Sequence, residues 1–436
     1  MQIEGLNMIK KILMKLKGNR FFSNTMWDIG GKVFQMVLTL IVGMLTARYL
    51  GPTNYGVIGY TASYVAFFSV ICQLGFTSTA VKELIDNPEQ QGQILGTTIF
   101  FRACISVLSS IAISLLVYIL DGDRIIAWVA LLQSISLIFQ SFDMVHYWYQ
   151  SRLETHVSVK IQSLAYVIMA IYKIAILALG KSVEWFAFST ALEAAVVAAA
   201  LLFVYRKGKH QGLSISLKTG GELLGRSYHF ILSGLMVTIY SEMDKIMLGR
   251  MLSETAVGFY TAATKISTMW SFVLTALINS SRPVIITSRS QDYNVYIKQN
   301  KRLYAAIIWI GIAAGLGITI LGKWIIYFMY GEAYIPATSS LQISAWYTMF
   351  AMLGTARGIW IVCEEKAKYV KYYLGVGAVI NVILNYLLIP QFGPGGAAAA
   401  TLITQVFTSV LAPAMFKETR VYTKYVLESF ILKGIR

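Results

Sequence analysis

Glu242, Asp244, Lys245 and Lys265 stand within the run YSEMDKIMLGRMLSETAVGFYTAATKI at 240–266, whose spans on either side of the turn holding Arg250 and Glu254 are otherwise apolar enough to lie in a bilayer. A charge in hydrocarbon costs roughly 2.5–3.5 kcal/mol even on insertion scales, so each needs a partner or a water-filled cavity, and such residues mark transport pathways. Further cations inside apolar segments are Lys32, Arg102, Lys173 and Arg357, and further acids are Asp28, Asp143 and Glu193. Asp28 sits one turn from Lys32 and Glu242 three residues from Lys245, spacings that allow local pairs on a helix. Glu193 lies in TALEAAVVAAA without an obvious local partner. A carboxylate in a low-dielectric cleft can take up and release a proton near neutrality, which makes Glu193 the leading residue for coupling to an ion gradient. Its alternative is a pair with a lysine of a neighbouring span. Asp244 reads as the partner of a basic residue across a cleft.

The elements that must carry these charges follow from composition. The chain has 436 residues, 56% hydrophobic and 13% charged, and a mean hydropathy of +0.62. Soluble domains carry roughly 25% charged residues. Runs of about 20 apolar residues, the length of a bilayer crossing, recur throughout. The chain therefore reads as an all-α polytopic membrane protein, and the ten-residue alternation of a membrane β-barrel is missing. Twelve spans are expected, near 26–48, 55–80, 95–119, 125–150, 158–180, 184–205, 227–249, 256–281, 303–330, 338–362, 369–390 and 395–416. The longest polar connections are 206–226 and 282–302. Cys72, Cys104 and Cys363 lack metal spacing and read as apolar packing residues.

The net charge of +16 is explained by topology and implies no nucleic-acid partner. Twenty-six Lys and Arg fall on one side of the spans, against Arg48, Arg124, Lys181, Arg250 and Lys323 on the other. The positive-inside rule then places both termini in the cytoplasm and requires an even number of spans. By depth, Lys32, Arg102 and Arg357 lie in the cytoplasmic half, and Lys173, Lys245 and Lys265 nearer the middle or outer half. Residues 1–24 form a basic amphipathic segment and 417–436 a basic amphipathic tail with Tyr422, Val426 and Phe430 on one face.

An internal repeat is visible. Arg48, Leu50, Thr53 and Gly56 match Arg250, Leu252, Thr255 and Gly258 at a constant offset of 202 residues. Gly180 and Gly393 echo each other between the fifth and sixth spans of each half. Two lobes of six helices, 25–215 and 216–416, are expected, in the same orientation and related by an axis along the membrane normal. Asp244 and Lys245 match Val42 and Gly43, so these charges are not duplicated.

The motifs also carry a resemblance. ARYLGP at 47–52 leading to Tyr55-Gly56, DKIMLG at 244–249 with VGFY at 257–260, WYQSRLE at 148–154, YGEAY at 330–334 and NVILNYLLIPQFGPGGAAAATLIT at 381–404 are similar to motifs of Wzx-type O-antigen flippases. These belong to a superfamily with the drug/sodium antiporters and the lipid II flippase. The resemblance implies a V-shaped, MATE-like bundle with alternating access in the inner membrane. The implied cargo is an undecaprenyl-pyrophosphate-linked oligosaccharide, moved from the cytoplasmic to the periplasmic leaflet. It also implies membrane lipids, a proton or sodium ion, and the polymerase and chain-length machinery as partners.

Such transport needs no covalent step, and no Walker sequence, triad spacing or metal-ligand cluster points to catalysis, a cofactor or a metal. The pyrophosphate of the implied cargo needs cations in a cleft, where contacts to phosphate are charge-assisted. Lys32, Lys173, Lys245 and Lys265 are the candidates for it. Asp28, Glu193, Glu242 and Asp244 are the candidates for ion coupling or charge pairing. A multidrug antiporter of the same superfamily is the alternative, although its cavity should be acidic. A membrane glycosyltransferase or polymerase is less favoured, because those enzymes commonly need a large catalytic loop outside the membrane.

Overall fold

The computed structural model describes residues 20–208 and 210–434, with side chains from Gly30 onward except Ser78. Among these residues there is no strand. The helices begin with α1 (Arg20–Gln73), α2 (Phe76–Asp86), α3 (Gln91–Asp121), α4 (Arg124–Gln140), α5 (Met144–Ser151), α6 (Thr155–Ala178) and α7 (Val183–Lys207). They continue with α8 (Leu217–Met251), α9 (Glu254–Met269), α10 (Ser271–Gln291), α11 (Tyr293–Tyr330), α12 (Thr338–Cys363), α13 (Val370–Val406), α14 (Ala412–Met415) and α15 (Arg420–Phe430).

Among the described residues, eight helical stretches are long and apolar enough to cross a bilayer. Two of them are broken by glycines outside helical geometry, Gly51 (φ 71) before Pro52 and Gly393 (φ 56) before Pro394. Glycine enters that region without steric cost, and the following proline cannot donate to the helix ladder. With α8 and α12 as further long helices, the pattern is consistent with twelve crossings. Large apolar side chains such as Leu164, Phe203, Ile320 and Phe328 stand exposed on these helices. The chain is a multi-pass membrane protein.

The helices gather into two compact units, one from the described residues up to Gly43 with those of Phe68–Leu232, the other from Met44–Phe67 with the described residues from Ser233 onward. In the first, Phe76, Leu84, Leu95, Trp148 and Leu201 form the core. Asp123 caps α4, accepting from the amides of Ile125 (2.7 Å) and Ile126 (3.3 Å), a cap typically worth about 1 kcal/mol. Tyr147, Trp148 and Tyr149 form an aromatic run of the kind found at membrane interfaces, but Trp148 and Tyr149 are 1% and 3% exposed. A 3-10 turn at Ser141–Asp143 redirects the chain, so that α5 packs on α2 and Trp148 Nε1 donates to Gln91 Oε1 at 2.9 Å.

In the second unit, Leu274, Ile278, Tyr304, Leu353, Trp360 and Tyr422 form the core. The stretch 282–302, expected as a polar connection, is almost wholly helical. α10 runs to Gln291, and Asp292 caps α11 by accepting from Asn294 N at 2.7 Å. In the tail helix α15, Tyr422 and Val426 are fully buried and Glu428 pairs with Lys301 at 2.5 Å. Residues 1–19 of the expected N-terminal segment lie outside the described residues.

The repeat is a physical contact within this second unit. A Cβ on Gly56 would fall 1.7 Å from Glu254 O, and one on Gly258 would fall 2.0 Å from Pro52 O. Only hydrogen fits at either position. Equivalent positions of the two repeats therefore cross backbone to backbone. Gly180 and Gly393, the weaker echo, both have a positive φ, 66 and 56.

Candidate functional site

Glu242, Asp244 and Lys245 on α8 and Lys265 on α9 meet in the second unit. Ser253, between those helices, fixes the turn by accepting from Ala256 N at 3.3 Å. Lys245 Nζ donates to Glu242 Oε2 at 2.7 Å, with the two side chains 18% and 24% exposed. Ser63, at the repeat offset from Lys265, donates to the same oxygen at 3.4 Å. Lys245 is therefore neutralised by the acid one turn away.

Asp244 differs from the sequence expectation of a basic partner. It is 2% exposed, and its carboxylate accepts from Tyr260 Oη, from Thr401 Oγ1 at 3.4 Å and from Lys245 N at 2.8 Å. Among the described residues no cationic side chain lies within ion-pair distance of it. A buried carboxylate is costly to charge, and Lys245, the next residue, is a cation that acts on Asp244 without forming an ion pair with it.

Lys265 is exposed. Among the described residues no carboxylate lies within ion-pair distance of it. Its ammonium lies 5.3 Å from the ring centroid of Tyr55, and Lys245 is near enough to repel it. The cluster thus pairs one lysine, leaves one aspartate to hydroxyl partners, and presents one cation outward over an aromatic ring.

Of the other charged residues named from the sequence, Lys32, Arg102, Lys173 and Glu193 lie in the first unit. Lys173 approaches Glu193 at 3.9 Å, the side chains being 27% and 25% exposed. Glu193 is therefore not without a partner; the alternative of a pair with a neighbouring lysine is the arrangement found. Lys32 is exposed on α1, and the Asp28 side chain lies outside the described residues. Arg102, 4% exposed, donates to Gln140 O at 2.9 Å. In the second unit Arg357, 6% exposed, donates to Thr408 O in the π-helical turn Phe407–Leu411 and lies 4.8 Å from the Tyr373 ring. Both arginines hold backbone carbonyls. His146 likewise bonds Ser158 Oγ at 2.8 Å.

Sequence reasoning missed Tyr55, Tyr260 and Thr401, because tyrosine and threonine are ordinary in membrane helices and these join the charges only through folding. It also passed over Asn381 and Asn385, which bond each other at 3.0 Å, are fully buried, and keep one unpartnered polar atom each. Two amides four residues apart in NVILNYLL were a usable signal, since lipid offers no hydrogen bonds.

Residues 21–289 match a family model described as polysaccharide biosynthesis protein. The chain is 29% identical to a "Probable flippase" of Haloferax volcanii over 40% of its own length, but that match spans only 37% of the haloarchaeal protein. It is 22% identical to the "Putative O-antigen transporter" of Escherichia coli K12, over 86% of this chain and 91% of that one. Among solved structures, the lipid II flippase MurJ in an inward closed conformation superposes with a TM-score of 0.74 at 16% identity, covering 94% of this chain and 91% of that one. The last likeness is one of fold.

Proposed function

The chain belongs to the polysaccharide biosynthesis protein family, and on that premise we propose that it is a flippase for a lipid-linked oligosaccharide. The cargo in this reading is an undecaprenyl-pyrophosphate-linked repeat unit. It moves by alternating access from the cytoplasmic to the periplasmic leaflet of the inner membrane, and both termini of the protein are cytoplasmic. The observation that carries the proposal is Lys265, a cation exposed on a membrane helix without a carboxylate to neutralise it. A pyrophosphate is the matching charge, and contacts between ammonium and phosphate are charge-assisted. Lys245, paired with Glu242, is not assigned to the cargo. No bond is made or broken, so no catalytic group is required.

Ion coupling is assigned to Asp244, whose burial among hydroxyl donors suits a group that exchanges a proton or a small cation with each cycle. The polymerase and chain-length machinery would receive the delivered unit. Deleting the gene tests the proposal. Lipid-linked repeat units should accumulate on the cytoplasmic leaflet and clear when the wild-type chain is restored; unchanged delivery to the outer leaflet would reject it.

A further inference from the structure

We propose that Tyr55 is the positioning residue for Lys265, holding its ammonium in place without cancelling its charge; this rests on the reading that Lys265 meets the pyrophosphate. A lysine in a membrane helix is normally fixed by a carboxylate, which neutralises it. Here Glu242, on the preceding helix, is taken by Lys245 at 2.7 Å, and among the described residues no carboxylate lies within ion-pair distance of Lys265. What lies beneath the Lys265 ammonium instead is the Tyr55 ring, 5.3 Å away at its centroid. A ring quadrupole attracts a cation and leaves the net charge intact.

The ring is itself fixed. Tyr55 is 3% exposed and meets Tyr334 edge-on with centroids 6.3 Å apart. Tyr334 is in turn anchored by donating its hydroxyl to Ala47 O at 2.9 Å. The Tyr55 hydroxyl is buried and makes no hydrogen bond. The face of the ring, and not the hydroxyl, is therefore what Lys265 uses. At the repeat offset, Tyr55 corresponds to Val257 and Lys265 to Ser63, so the pair occurs on one side of the crossing only. It belongs to what the two repeats do not share.

The test measures the affinity of undecaprenyl pyrophosphate for the full chain in lipid nanodiscs. K265M should weaken binding at least tenfold. Y55L should weaken it about fivefold, as the loss of a cation–π contact does, and Y55F should stay within twofold of wild type. In the K265M background Y55L should have no further effect. Y55M, which fills the ring's space with a flexible chain, serves if Y55L does not fold. Unchanged binding by K265M would overturn the reading of Lys265 and this inference with it. A K265M defect, together with either wild-type binding by the ring-free variants or an equal Y55L loss in both backgrounds, would overturn the role of Tyr55 alone.

Discussion

Thr53 and Thr255, 202 residues apart, share a hydrogen bond between their side-chain hydroxyls at 2.8 Å. They occupy equivalent positions of the two repeats, so this is a self-complementary contact of the kind made at a two-fold axis. Gly56 and Gly258 flank it with the close backbone approach described above. The repeated residues are therefore the contact between repeats, while Tyr55, Asp244, Lys245 and Lys265 are the unrepeated residues around it.

G56A should destabilise the protein severely, because its methyl group would meet a backbone carbonyl that has no freedom to move. Overpacking of this kind costs about 1–3 kcal/mol or more. G225A, with nothing within 4 Å of the new Cβ, should be neutral or slightly stabilising, since alanine favours a helix by about 1 kcal/mol over glycine. Thermal unfolding in detergent reads both. Equal midpoints for the two variants would contradict the crossing.

K245M should cost more than the double replacement K245M/E242Q, since the single change leaves Glu242 charged and half-buried with Ser63 as its remaining partner. The difference should be on the order of 1–3 kcal/mol, between the values for exposed and buried pairs. A double-mutant cycle on unfolding measures it. Additive losses would mean that the pair is not coupled.

D244N should leave cargo binding intact and remove the response of transport to an imposed ion gradient. The amide keeps the shape and the hydroxyl partners of Asp244 but cannot exchange a charge. Transport in proteoliposomes, with and without proton and sodium gradients, decides this. A D244N protein that still follows the gradient would move the coupling site elsewhere.

The tail helix should loosen in acid. The hydrogen bond and charge of Lys301 hold the Glu428 carboxyl below its usual range. A depressed folded-state value gives stability that is complete above the ordinary glutamate value of about 4.3 and is lost as pH falls through the lowered one. E428Q should abolish that dependence. Hydrogen exchange across residues 420–430, measured from neutral pH down to about pH 3, should show protection falling in the wild type and not in the variant.

Local features were readable in the sequence and distant ones were not. The breaks at Gly51-Pro52 and Gly393-Pro394, the repeat pairing Thr53 with Thr255, and the Glu242–Lys245 spacing all follow from neighbours in sequence or a constant offset. The ring under Lys265 could not be read, because 210 positions separate it from the lysine and one tyrosine among 26 carries no mark of its contact. Glu193 looked isolated because Lys173 lies on another helix. The burial of Trp148 could not be read, because nothing local shows the 3-10 turn that precedes its helix.

The most direct measurement is translocation of a fluorescent undecaprenyl-pyrophosphate oligosaccharide across reconstituted liposomes, followed by quenching from outside. Wild-type protein should move label between leaflets well above the rate of empty liposomes, and K265M at least tenfold more slowly at equal protein content. Wild-type rates no faster than empty liposomes, or a K265M protein as fast as wild type, would contradict the assignment.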